Sequence, residues 1–145
     1  MKDGVLIGID AGTSVIKSIA FTTKGEQIAS AAIPNRYQTF PDGGAEQDMA
    51  RTWADTAATL KQLSEKVPNL QDRLIAISVT GQGDGMWLID KAGEPVAPAW
   101  LWLDARAAAI TEAMQGLGMQ GGQFQVQLHT TAQPQQGGLE DVLFL

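Results

Sequence analysis

Residues 7–17 read Ile-Gly-Ile-Asp-Ala-Gly-Thr-Ser-Val-Ile-Lys. Val5 to Ile9 is a compact apolar run that closes at Asp10, and Ala11-Gly12 supplies a turn. Residues 14–21, SVIKSIAF, then form a second strand. After a turn at Lys24-Gly25, QIASAAI at 27–33 forms a third, so an antiparallel three-stranded meander is predicted. Alternation along the second strand puts Thr13, Val15, Lys17, Ile19 and Phe21 on one face, with a charge in an otherwise apolar row. Burying an unpaired charge is costly, so Lys17 and Asp10 need a reason to be there.

One reason is a bound anion with its metal. The backbone N–H groups of Gly12 and Thr13 would form a small nest for phosphate oxygens, with the Thr13 hydroxyl beside them. Lys17 would offset the charge of a transferring phosphoryl group, and Asp10 would hold Mg²⁺ partly through water. Without ligand, Asp10 and Lys17 would pair with each other. The other reason is ordinary: aspartate commonly precedes a glycine turn, and lysine reaches water from a strand edge. These eleven residues alone divide evenly between the two.

Outward from this stretch, Met49, Trp53, Ala57, Leu60, Leu63 and Val67 recur at steps of three and four. That spacing predicts a helix with one apolar stripe, capped by Asp48 and ended before Pro68. LIAISVTG (74–81) reads as a buried strand and MWLID (86–90) as another, joined by Gln82-Gly-Asp-Gly85. A second helix is expected from about Arg106 to Leu117. The order βββαββα sets a sheet against helices, an α/β class. Between Glu112 and Glu140 no Lys, Arg, Asp or Glu occurs, and glutamine and glycine dominate. Residues 113–145 are therefore expected to be a poorly ordered tail, distinct from residues 1–112.

Composition narrows the partners. A chain of 145 residues suits one domain with a real core. A net charge of −6 gives no basic surface for nucleic acid, and the lack of cysteine removes disulfides and thiolate metal sites. The N-terminal apolar run is too short for a signal peptide and no stretch is long enough to span a membrane, so the expected location is cytoplasmic. There is no Walker loop, and GQGDG (81–85) leads into MWLID rather than a helix, which fails the dinucleotide-binding context. His129 has no partner residue in its segment.

A second cluster of polar residues lies at TGQGDGMWLID. Gln82 offers a donor and an acceptor and Asp84 two acceptor oxygens, which suit the vicinal hydroxyls of a sugar or polyol. A plain hairpin turn explains Asp84-Gly85 slightly better when taken alone. AWLWLDAR (99–106) would place Trp100, Trp102 and Asp104 on one face if extended, and Asp104 with Arg106 reads as an ion pair fixing the loop.

Taken in order, IGIDAGTSVIK, AEQDMARTW, TGQGDGMWLID and PAWLWLDAR resemble the N-terminal part of the FGGY carbohydrate kinases, members of the actin-like, ribonuclease-H-like ATPase superfamily. The resemblance covers roughly residues 5 to 110. It implies ATP-dependent phosphorylation of a terminal hydroxyl on a sugar or polyol. It carries ATP and Mg²⁺ binding to Asp10, Gly12, Thr13 and Lys17, with Asp10 nearest the metal. Substrate contact falls on Gln82, Gly83 and Asp84, and Trp102 matches a tryptophan that lines the polyol site in the related glycerol kinases. Gly83 stands where that group has a basic residue, which sets glycerol apart.

Family members are much longer, so the first domain is expected to be incomplete here and the catalytic base to lie outside this chain. A frameshifted or otherwise truncated gene product fits the length and the uncharged tail. Three readings follow: the N-terminal portion of a polyol kinase, inactive alone; a non-catalytic nucleotide- or phosphate-binding module; and an inactive product that self-associates through exposed apolar faces.

Overall fold

The computed structural model describes residues 3–82 and 84–116. Strands β1 (Val5–Ala11), β2 (Val15–Thr22) and β3 (Gln27–Pro34) form the predicted antiparallel meander. Strand β6 (Leu74–Gly81) adds parallel to β1, giving the order β3-β2-β1-β6. Between them run β4 (Gln38–Thr39), β5 (Ala45–Gln47), α1 (Met49–Lys66) and the short α2 (Leu70–Arg73). β5 pairs with β4 on one side and with β7 (Ala99–Trp100) on the other in a second small sheet, and α3 (Ala108–Gly116) follows.

One face of the main sheet makes the core. Val5, Ile7 and Ile9 of β1, Ala20 of β2 and Ala31 of β3 pack with Leu63 and Val67 of α1 and with Leu70. The Asp48 side chain accepts the Arg51 N–H at 2.9 Å, so the helix starts where its cap was expected. It stops before Pro68, with the Val67 N–H donating to the Leu63 carbonyl. Only the C-terminal half of the apolar stripe, Leu60, Leu63 and Val67, meets the core. Trp53 is 76% exposed and Ala57 is exposed, whereas Thr59 is fully enclosed beside Leu63 and Val67. The reason is a polar contact that an apolar period cannot detect. Ser18 of β2 is fully buried and lies 2.6 Å from the Thr59 hydroxyl, which itself donates to the Thr56 carbonyl.

Three further expectations change. All eight residues of β6 are exposed, not buried, because among the described residues it is an edge strand and α1 lies over β2 and β3. MWLID is not a strand: it makes only single bridges, Met86 with Trp100 and Ile89 with Pro95. The extended face through Trp100, Trp102 and Asp104 ends at Trp100, since a turn follows and the Asp104 N–H donates to the Leu101 carbonyl. The tail expected at 113–145 lies outside the described residues from 117 onward. No helix among the described residues is long and apolar enough to cross a membrane.

Candidate functional site

β1 and β6 run parallel, and Ala11 pairs with Gly81 at their carboxyl ends. The loops that follow, at 12–14 and 82–85, therefore leave the sheet side by side. Ligands of open α/β sheets gather at such strand ends. The arrangement joins the two clusters that the sequence kept 69 residues apart: the Thr13 hydroxyl donates to Gln82 Oε1 at 2.9 Å.

Asp10 and Lys17 face each other in the β1–β2 register. Both are exposed and lie on the sheet face opposite α1, while Ile16, Ser18 and Ala20 take the core side. With Gly8, Ile9, Ile19, Phe21, Ser78 and Thr80 they line an open groove of about 220 Å³. Lys17 thus interrupts a groove wall, not the core. The expected Asp10–Lys17 pair does not form: among the described residues the ion pairs are Arg51–Asp55 and Arg106 with Glu46 and Asp104. Two hydrated charges on an open face gain about 0–1 kcal/mol by closing, too little to fix them.

The 12–14 turn is tighter than an open anion nest. The Gly12 N–H donates to the Val15 carbonyl at 3.1 Å, so it is committed inside the turn. A Cβ on Gly12 would sit 3.0 Å from that same carbonyl oxygen, which explains the glycine. The N–H groups of Thr13 and Ser14 make no hydrogen bond among the described residues. Sequence reasoning missed the residue that holds the turn. Asn35 is 7% exposed, donates from Nδ2 to the Gly12 carbonyl at 3.0 Å, and gives its N–H to the Ser14 carbonyl at 2.9 Å. A polar residue directly after the Pro34 strand end was the available signal.

On the other loop, Gln82 is half-buried and also donates from Nε2 to Gln47 Oε1 at 2.8 Å. Asp84 is exposed and makes no hydrogen bond or ion pair among the described residues. Gly83 lies outside the described residues. Trp102 is 62% exposed in the turn after β7. Trp100 is the tryptophan tied to this loop, exchanging hydrogen bonds with Met86 at 2.8 and 3.1 Å.

The small sheet is locked by the ion pair foreseen between Asp104 and Arg106. Arg106 Nη2 lies 2.6 Å from Asp104 Oδ2 and 2.9 Å from Glu46 Oε1, with the guanidinium 3.9 Å from the Trp100 ring centre. Asp104 Oδ2 also accepts the Ala45 N–H at 2.8 Å. The Arg106 hydrogen bond, followed by that from Ala45, holds the Asp104 carboxyl well below the usual carboxylate range. The Asp104 hydrogen bond, with a smaller share from Glu46, raises Arg106 further above its ordinary value.

No group of three or more His, Asp or Glu converges among the described residues. The groove offers a divalent cation one exposed carboxylate, Asp10, beside a cationic Lys17. That donor set does not suit a resident metal cage but does suit Mg²⁺, which keeps its waters and arrives on phosphates.

The N-terminal domain of the FGGY family of carbohydrate kinases matches residues 5–138. An erythritol kinase from Brucella abortus is 48% identical over 124 residues, covering 86% of this chain and 24% of that protein. TGQGDG with EQDMARTW looks most like erythritol kinase within the family, a resemblance with which this relative agrees. A glycerol kinase from Alcanivorax borkumensis is 34% identical over 115 residues, 78% of this chain and 23% of that protein. Among solved structures, xylulose kinase from Rhodospirillum rubrum superposes with a TM-score of 0.71 at 26% identity, over 78% of this chain and 23% of that one. Gluconate kinase from Lactobacillus acidophilus gives 0.74 at 21% identity, over 81% and 23%, and shows the same fold. The chain spans about a quarter of the length of these relatives. It belongs to the FGGY family of carbohydrate kinases.

Proposed function

We propose that this chain carries the phosphate loop and part of the polyol loop of an ATP-dependent kinase for a small polyol such as erythritol. The observation that carries the reading is the pairing of β1 with β6, which sets the Asp10–Lys17 groove and the Gln82–Asp84 loop at one end of the sheet. The 48% identity to an erythritol kinase supports this substrate class over glycerol.

In this reading Lys17 and the Thr13 and Ser14 N–H groups bind and orient the phosphates. Asp10 takes the water shell of Mg²⁺, whose charge, when bound, offsets that developing on the transferred phosphoryl group. Asp84 accepts hydrogen bonds from polyol hydroxyls, and Trp102 supplies an apolar wall for their C–H groups. The base that takes the proton from the attacking hydroxyl is not among these residues, and positioning for in-line transfer needs closure around both ligands. The chain alone should therefore bind without turning over.

The test is a chimera in which this chain replaces the matching quarter of the Brucella abortus erythritol kinase. ADP release should follow erythritol in preference to glycerol and xylulose. Preference for glycerol, or no turnover from a folded chimera, would overturn the reading.

A further inference from the structure

We propose that Gln47 and Gln82 are positioning residues: a relay Gln47–Gln82–Thr13 fixes the polarity of the Thr13 hydroxyl and ties the polyol loop to the phosphate loop. The meaning given to Thr13 rests on the kinase reading above, whereas the relay itself does not.

Three separate elements meet in it. Gln47, on β5, is 1% exposed. Its Oε1 accepts from Gln82 Nε2 at 2.8 Å, and Gln82 Oε1 accepts the Thr13 proton at 2.9 Å. Gln82 thus spends one lone pair and one N–H within the protein and keeps one of each for a polyol hydroxyl. Thr13 has one proton and spends it on Gln82, so to a ligand it offers lone pairs only. It can accept from the water of a hydrated cation but cannot donate to a phosphate oxygen. Donation to the anion falls to Lys17 and the backbone.

Two amides and a hydroxyl could also run the other way. With both amides turned over, Gln82 Nε2 would donate to Thr13, and the Thr13 proton would be available to a phosphate. The direction of the line is set by which way the Gln47 amide, its enclosed end, is turned. In the observed arrangement its second polar atom, Nε2, is buried without a partner. Gln47 also lines a cavity of about 670 Å³ with Glu46, Asp48 and the first turn of α1, residues that do not line the groove. The relay therefore spans from that cavity to the phosphate loop, through the polyol loop.

The experiment uses the 145-residue chain, ¹⁵N-labelled and without ligand, with the side-chain amides of Gln47 and Gln82 assigned. Thr13→Val and Gln47→Met, which keep volume and remove one partner each, should speed Gln82 amide exchange with water about five- to tenfold, the equivalent of one hydrogen bond. Thr13→Val should also move the Gln47 resonance, which it cannot touch directly, and Thr13→Ser should restore both signals. Packing alone would leave them in place in Thr13→Val. Unchanged Gln82 exchange in the two variants, or a Gln47 resonance indifferent to Thr13→Val, would overturn the proposal. No arm uses nucleotide or polyol, so the kinase reading can fail separately.

Discussion

Gly85 follows Asp84, and its substitution is informative because space, not conformation, requires the glycine. A Cβ there would lie 2.7 Å from the Trp100 carbonyl oxygen and 2.8 Å from Trp87 Nε1. Ordinary contact starts at 3.4 Å, so in Gly85→Ala the first contact must open by about 0.7 Å, from 2.7 to 3.4. The hydrogen bonds between Met86 and Trp100, at 2.8 and 3.1 Å, span the same gap. Stretched by that amount they reach roughly 3.5 and 3.8 Å, at and past useful range. At about 1 kcal/mol each, the loop loses about 2 kcal/mol and Asp84 shifts with it. Gly93 is the control: its φ is +83° and nothing lies within 4 Å of its Cβ position, so Gly93→Ala costs about 1 kcal/mol of backbone strain alone. Urea unfolding followed by tryptophan fluorescence, with amide exchange at Met86 and Trp100, separates the two. The reasoning is refuted if Gly85→Ala destabilises no more than Gly93→Ala, or leaves those two amides protected.

Other predictions follow from the same structure. Leu63→Ala, at a fully enclosed position of the core, should lower unfolding free energy by about 3 kcal/mol in urea titration, while Trp53→Ala on the exposed helix face should change it by less than about 0.5 kcal/mol. The Asp104 carboxyl titrates lower in the folded chain than unfolded, so its share of stability is present above about pH 4 and is lost as pH falls toward its depressed folded value. Asp104→Asn should accordingly flatten the acid limb of a plot of urea midpoint against pH. The exposed row of Ile75, Ile77 and Val79, beside the β6 edge that is unpaired among the described residues, predicts self-association at rising concentration. Sedimentation velocity should report it, and Val79→Lys should weaken it roughly tenfold.

The meander was legible because alternation reports directly on which residues meet the core, and α1 because its cap, its end and the C-terminal half of its stripe are written locally. β6 was legible as a strand, but its burial was not, since an unbroken apolar run reads the same whether or not a layer covers it. The small sheet left little local signal: β4 and β7 are two residues each and β5 three, held by pairing across the fold. In the candidate site, Asp10, Thr13, Lys17 and Asp84 stood out by chemistry and turn context. Gln47 and Asn35 did not, because a buried amide is recognisable only through partners distant in sequence, here Gln82 and Gly12. Gly12 was read correctly as a turn residue, but the partner of its N–H is Val15, which only the closed turn reveals.

The most direct test of the phosphate-loop assignment is titration of the ¹⁵N-labelled chain with MgADP. The account predicts shifts at the Thr13, Ser14 and Lys17 amides and at the groove residues Ser78 and Thr80, with little change along β3, and predicts their loss in Asp10→Asn. Shifts confined to other surfaces, no response at all, or a response that survives Asp10→Asn unchanged would contradict it.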